Sequence, residues 1–202
     1  NVGGLVGYMG GGAIDTISAS AGNVQGRSNV GGIVGHLNGG TINNATYKGD
    51  VTATGANTGG IIGYQVITID AVMDKLTVEG GITNNSNNDY IGGLIGRQDI
   101  AAGKSVSLTN SNYTGNITST GGYIGGLIGG QAGVSNATVG AIVLSNVSSS
   151  GNISGGREDY RGGSNIGGLI GYQDVGQGTI SIVNANANGS ITNKYNYGRG
   201  EN

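Results

Sequence analysis

Few side chains in this 202-residue chain are of types and spacings that do chemistry. There is one histidine, His36, and no cysteine, which removes the soft-ligand metal sites and the usual nucleophile and base pairs. Asp99 and Asp174 follow Gln98 and Gln173 at equivalent places in two repeats, so they are the natural pair of carboxylates to test. Two strand steps would put them about 9.6 Å apart, too far for a retaining glycosidase pair and at the outer edge of the inverting range. They read as solvated carboxylates. Ala102-Gly103-Lys104-Ser105 has the ending of a phosphate-binding loop, but Gln98 stands where the first glycine belongs and no helical pattern follows. Neither an Asp-x-Asp calcium loop nor the Gly-Gly-x-Gly-x-Asp nonapeptide occurs. The expectation is a chain that is not an enzyme, with no catalytic residue, no metal ligand and no cofactor.

Binding is the chemistry that remains. Arg157-Glu158-Asp159-Tyr160-Arg161 is the largest charge cluster and lies in the longest stretch between repeats. Arg157, Asp159, Tyr160 and Arg161 are therefore candidate partner contacts, although a self-neutralising solvated turn is the plainer reading. The tyrosines recur by column: Tyr8, Tyr64 and Tyr172 in one, Tyr90 and Tyr123 in another, Tyr47 and Tyr113 in a third. Such columns either stack sugar rings or stabilise adjacent strands. His36 takes the column of Tyr8, Tyr64, Arg97, Gly130 and Tyr172, where it reads as a substituted column position rather than a base.

The elements that must position these residues are repeats. The phrase Gly-Gly-(Leu/Ile)-(Val/Ile)-Gly begins at Gly3, Gly31, Gly59, Gly92, Gly125 and Gly167, with spacings of 28, 28, 33, 33 and 42 residues. At such a period each unit buries its apolar face only by stacking on its neighbours. A second phrase keeps step: Gly49-Asp50-Val51, Gly115-Asn116-Ile117 and Gly151-Asn152-Ile153 are examples, with Gly22 and Gly189 at the outer members. A third segment alternates in character, as in Thr41-Ile42-Asn43-Asn44 and Ser181-Ile182-Val183-Asn184. Three short β-type segments per unit predict an all-β fold, a β-solenoid (β-helix) of about six coils with three short strands per coil. The units lie near 1–28, 29–56, 57–89, 90–122, 123–164 and 165–202 of a single repeat domain, and the unequal spacings predict loops on one side. One of the columns Leu5-Ile33-Ile61-Leu94-Leu127-Leu169 and Val6-Val34-Ile62-Ile95-Ile128-Ile170 should face inward and the other outward, since strand side chains alternate. Asn44, Asn110, Asn146 and Asn184 should form a structural amide ladder of partnered polar groups.

Composition fits. The chain has 46 Gly and no Pro, Phe or Trp. Glycine and asparagine supply the positive-φ corners of a chain that turns every few residues, and proline would delete a ladder hydrogen bond. A net charge of −2 gives no field to steer nucleic acid. Residues Gly122 to Leu144 lack charge, but Gln131, Ser135, Asn136 and Thr138 interrupt them and a helix so rich in glycine would be poor, so no membrane insertion is expected.

Val2-Gly3-Gly4-Leu5-Val6-Gly7-Tyr8, Val30-Gly31-Gly32-Ile33-Val34-Gly35-His36 and Ile166-Gly167-Gly168-Leu169-Ile170-Gly171-Tyr172 resemble the GLUG motif of bacterial cell-surface and secreted proteins. The resemblance covers nearly the whole chain, and that motif carries no catalytic residues to transfer. It implies an extracellular, adhesin-like repeat region, and the chain opens inside a repeat phrase as a segment of something longer would. The expected function is a non-catalytic stalk, adhesin segment or fibre-building unit at the bacterial surface. Its expected partners are itself, end to end or laterally, or a host or matrix glycan or protein. Two other classes stay open: a carbohydrate-binding or carbohydrate-active β-helix, and an ice-binding solenoid built on the column Thr52, Thr83, Thr118, Ser154 and Thr192.

Overall fold

The computed structural model describes residues 1–19, 22–88, 90–133, 138–157 and 164–194. Over these residues the protein is all β, and each repeat contributes one position to every sheet in turn. Each sheet is parallel, its strands in the order of the repeats, so the chain has a β-solenoid-like repeat architecture. The first sheet runs from Val2–Gly3 through Val30–Gly31 to Asn165–Gly167, and the second from Val6–Met9 through Ile62–Ile67 to Ile170–Asp174. The third holds the long strands, from Ala13–Ala19 through Ala71–Glu79 to Gln177–Asn188. The fourth is built of three-residue strands from Val24–Gly26 to Ile191–Asn193.

Four strand positions therefore stand where three β segments per repeat are expected. The difference arises inside the glycine phrase, which breaks into two short strands at a bend. The bend has one hydrogen-bond signature throughout: the amides of Ile33 and Val34 both donate to the Ile61 carbonyl, at 3.1 and 2.9 Å. Ile61 and Ile62 donate in the same way to Leu94, and Leu127 and Ile128 to Leu169. Two residues facing one acceptor is the bulge geometry that turns a strand. Consequently the two aliphatic columns do not point to opposite sides. Ile33 and Val34, Ile61 and Ile62, and Leu94 and Ile95 are all buried, because the corner falls between them.

The glycines at this bend are there for space. A Cβ on Gly59 would strike the carbonyl oxygen of Ile62, and one on Gly60 would strike that of Gly93. The corner between the third and fourth sheets needs glycine on two counts: φ is +155° at Gly49 and Gly115 and +154° at Gly80, and a Cβ on Gly80 or Gly115 would also strike the carbonyl oxygen of the corner glycine one repeat before. Gly22 does not share this conformation, and a Cβ there meets nothing within 4 Å. Length differences between repeats gather at two corners rather than on one side. Among the described residues they fall between the second and third sheets, at 101–105, and between the fourth and first, at 85–88 and at 156–157.

Inside the four sheets the core is a stack of aliphatic columns closed in the middle repeats and partly open in the outer ones, where Leu5 and Ile191 are half exposed. Through it runs a chain of amides. Gln98 donates to Gln65 at 2.7 Å, Gln131 to Gln98 at 2.6 Å and Gln173 to Gln131 at 2.7 Å. Gln65, Gln98 and Gln131 are buried, so each amide's neighbour in the next repeat replaces the water it has lost. The expected asparagine ladder forms over three of its four members, with Asn184 donating to Asn146 and Asn146 to Asn110, each at 3.1 Å, while Asn44 donates to Asp15 at 2.7 Å. It lies on the exposed outer face of the third sheet, where its residues hold φ near +50° and kink the long strands. At the Lys75 position of that column the Asp74 carboxylate accepts from Asn110 instead, at 2.7 Å.

Candidate functional site

The residue after the glycine phrase is an outward position of the second sheet, and register stacks it: Tyr8 pairs with His36, His36 with Tyr64, Tyr64 with Arg97, Arg97 with Gly130 and Gly130 with Tyr172. Parallel strands lie about 4.8 Å apart, which is ring-stacking distance for side chains on one column. Tyr8 meets His36 edge to face with centroids 5.1 Å apart, and His36 lies 4.7 Å from Tyr64. The Arg97 guanidinium sits 5.7 Å from the Tyr64 centroid and 4.7 Å from that of Tyr90, both within cation–π range.

Gly130 would leave a gap in the column, and the neighbouring column closes it. Tyr90, which precedes the first-sheet strand Ile91–Gly92, leans over Gly130, where any Cβ would collide with its ring. Tyr90 then meets Tyr123 at 5.1 Å, and Tyr123 stacks on Tyr172 at 4.6 Å with planes 24° apart. The two tyrosine columns read separately from the sequence are thus one ridge that crosses the whole second sheet. The third pair is different: Tyr47 and Tyr113 are buried, and their hydroxyls donate to the carbonyls of Asp50 at 3.2 Å and Asn116 at 3.0 Å. They are core.

Polar groups hold the tips of the ridge rings. Asn38 donates to the Tyr8 hydroxyl at 3.4 Å, Tyr64 donates to Asp99 at 2.6 Å and Tyr172 donates to Asp174 at 3.1 Å. The other oxygen of Asp99 accepts from Arg97 Nε at 2.8 Å. Burial, and then the bond to Asp99, push the Tyr64 phenol up to about 12, so it stays a donor at physiological pH. The hydrogen bond to Asp174 raises Tyr172 from its ordinary value as well. Burial holds the His36 imidazole below its usual value, which keeps it neutral between its two rings.

The carboxylate pair is not assembled: Asp99 and Asp174 are each partners of Ala132, so a strand separates them, and each is engaged by a ridge tyrosine. At the loop ending in Lys104-Ser105 the amides are spent on the chain itself, with Gly103 donating to Thr138, Lys104 to Ala101 and Ser105 to Asp70. In the charge cluster, the Arg157 amide donates to Ser164 at 2.8 Å; Asp159, Tyr160 and Arg161 lie outside the described residues. Thr52, Thr83, Thr118, Ser154 and Thr192 do align, one per strand of the fourth sheet, with Gln25 at their head. Each of those strands presents a single outward residue, so a second parallel column is not available beside them on that sheet. No metal-holding group of three or more His, Cys, Asp or Glu occurs among the described residues. Among the described residues there is no helix long and apolar enough to cross a membrane.

The ridge was only half visible in the sequence. Spacing places Arg97 and Gly130 in the column but does not show that Arg97 packs on Tyr64 and Tyr90, nor that the two tyrosine columns join across the gap at Gly130. The buried glutamines carried a plain signal, since each follows the first glycine of its phrase by the same offset. Comparison with protein-family models, with curated proteins and with solved structures finds no match for this chain.

Proposed function

We propose that this chain is a non-catalytic extracellular segment, a β-solenoid of six coils that serves as a stalk or adhesin-like spacer at a bacterial surface. The observation that carries the reading is that consecutive repeats pair in parallel through all four sheets, so that the ridge and ladder side chains bond largely to their neighbours in adjacent repeats. Asp99 spends its oxygens on Tyr64 and Arg97, and Asp174 accepts from Tyr172, which leaves them as struts rather than acids or bases. A body stiffened by four parallel ladders holds its two ends at a fixed separation, which a spacer needs. The likeness of the glycine phrase to the GLUG motif supports the extracellular placement, and the absence of cysteine agrees with it. In this reading the partners are further copies of the repeat, or a surface glycan or protein met by an outer face.

Antibody raised against the chain tests the placement. Intact, unpermeabilised cells of the producing organism should stain, and staining that requires permeabilisation would contradict the proposal. Turnover of a polysaccharide or peptide that is abolished by Asp99→Asn or Asp174→Asn would contradict its non-catalytic half.

A further inference from the structure

We propose that Tyr123 and Tyr172 are a site of oxidative modification, a pair that a peroxidase with hydrogen peroxide joins into a dityrosine bridge between the fifth and sixth repeats. The inference goes beyond the spacer reading and does not depend on it. Tyr123 opens the first-sheet strand Tyr123–Gly125 and Tyr172 lies in the second-sheet strand Ile170–Asp174, yet their rings stack with centroids 4.6 Å apart and planes 24° from parallel. Both side chains are partly exposed, so each ring is held by its neighbour and still presents an edge to an oxidant. Every contact the pair uses lies within these two repeats.

The reaction needs only the two phenols and the peroxide. Each phenol gives up one electron and one proton, and the radical that results is shared between the oxygen and the ring carbons beside it. One such carbon from each ring forms the new C–C bond. The hydrogens these carbons carried restore the two phenols, and the peroxide takes up the two electrons and two protons to become two waters. Two features of the site favour these steps. Tyr172 donates to Asp174 at 3.1 Å, so a carboxylate stands in place to take the phenol proton as the electron leaves. A second ring at stacking distance makes the pairing of radicals intramolecular.

The other tyrosines are less suited. Tyr90 also meets Tyr123, at 5.1 Å, but their planes are 47° apart and the Arg97 guanidinium stands 4.7 Å from the Tyr90 centroid, a positive charge that opposes removal of an electron. His36 separates Tyr8 from Tyr64, and Tyr47 and Tyr113 are buried. In a chain without cysteine, the bridge supplies a covalent tie between repeats that are otherwise joined by hydrogen bonds and packing.

Oxidation of the whole 202-residue chain at low concentration, by a haem peroxidase with hydrogen peroxide, tests the proposal. Cleavage after lysine and arginine puts Tyr123 in the peptide 105–157 and Tyr172 in the peptide 162–194, which has no other tyrosine. By mass spectrometry the monomer should lose two hydrogens, and these two peptides should be joined in the main linked product. Fragmentation of the joined peptides distinguishes Tyr123 from Tyr113. Tyr123→Phe and Tyr172→Phe, which keep the rings, should each lower the dityrosine fluorescence of the monomer by about fivefold or more. Circular dichroism checks that each variant folds, and if one does not, the other decides. In urea the same link should become a minor product. An unlinked monomer under conditions that couple free tyrosine would overturn the proposal. So would a main link at other tyrosines or between chains, an equal yield in urea, or undiminished fluorescence in folded Tyr172→Phe. Any of these would leave the extracellular reading in place, since staining of intact cells tests that separately.

Discussion

At the residue scale the argument turns on what a glycine excludes. Gly126 sits where a Cβ would meet the Gly168 carbonyl and the Ser149 side chain, so a larger residue must push two neighbouring strands apart. At Gly168 the nearest atom is the Ala187 methyl at 2.6 Å, and the surroundings are partly open. Gly126→Val should therefore cost about 1–3 kcal/mol and Gly168→Val distinctly less, as overpacking and strain usually do. Urea unfolding of both variants measures this, and equal, negligible losses would mean that the phrase glycines are not close-approach sites. Such glycines are legible in a sequence because they recur, but their reason is not. Gly3 through Gly167 and Gly80 through Gly189 look alike as letters, yet the first set is held by contact alone and the second by contact and positive φ together.

At the element scale the second sheet is organised by two columns of opposite character, the ridge outside and the glutamines inside. The glutamine column continues into Leu37 and then Met9 in the first repeats, so the space itself accepts an apolar residue. What it does not accept is a broken chain of amides. Gln98→Leu leaves Gln65 and Gln131 each with an unmatched amide atom, at about 1–3 kcal/mol for each buried group. Replacing Gln65, Gln98, Gln131 and Gln173 together by Leu removes both sides of every bond and should cost less than the single change. Denaturation midpoints of the two variants compare them directly, and a quadruple variant weaker than Gln98→Leu would show that the amides contribute beyond mutual satisfaction. The sequence exposed this column through constant spacing from the phrase. It did not expose the bend that makes Ile33 and Val34 neighbours in the core, since alternation predicts opposite sides and only the shared Ile61 carbonyl reveals the corner. The ridge was hidden for a related reason: Tyr90 and Tyr123 belong to one corner and Tyr172 to another sheet, and they meet across a gap that a glycine leaves.

At the scale of the whole molecule, parallel pairing between consecutive repeats is what turns local phrases into one body with continuous faces. All-β character, the repeat count of the phrase and the stacking direction follow from periodicity, because an apolar column that returns at a fixed place needs a neighbour to bury it. The distribution of extra residues between two corners does not follow, since insertions leave the columns unchanged wherever they fall. The central claim is that each repeat lies directly on the next in register, and an engineered cystine tests it most directly because the chain has no cysteine of its own. Thr83 and Thr118 are direct partners on adjacent strands of the fourth sheet, whereas Thr52 and Thr118 are separated by the strand of Thr83. Adjacent partners stand about 4.8 Å apart, within disulfide reach, and the wider pair about 9.6 Å, beyond it. Under mild oxidation at low protein concentration, Thr83→Cys with Thr118→Cys should close an intramolecular disulfide in nearly every molecule, and Thr52→Cys with Thr118→Cys should stay reduced. Closure of the wider pair, or failure of the adjacent one in a folded protein, would contradict the stack and everything built on it.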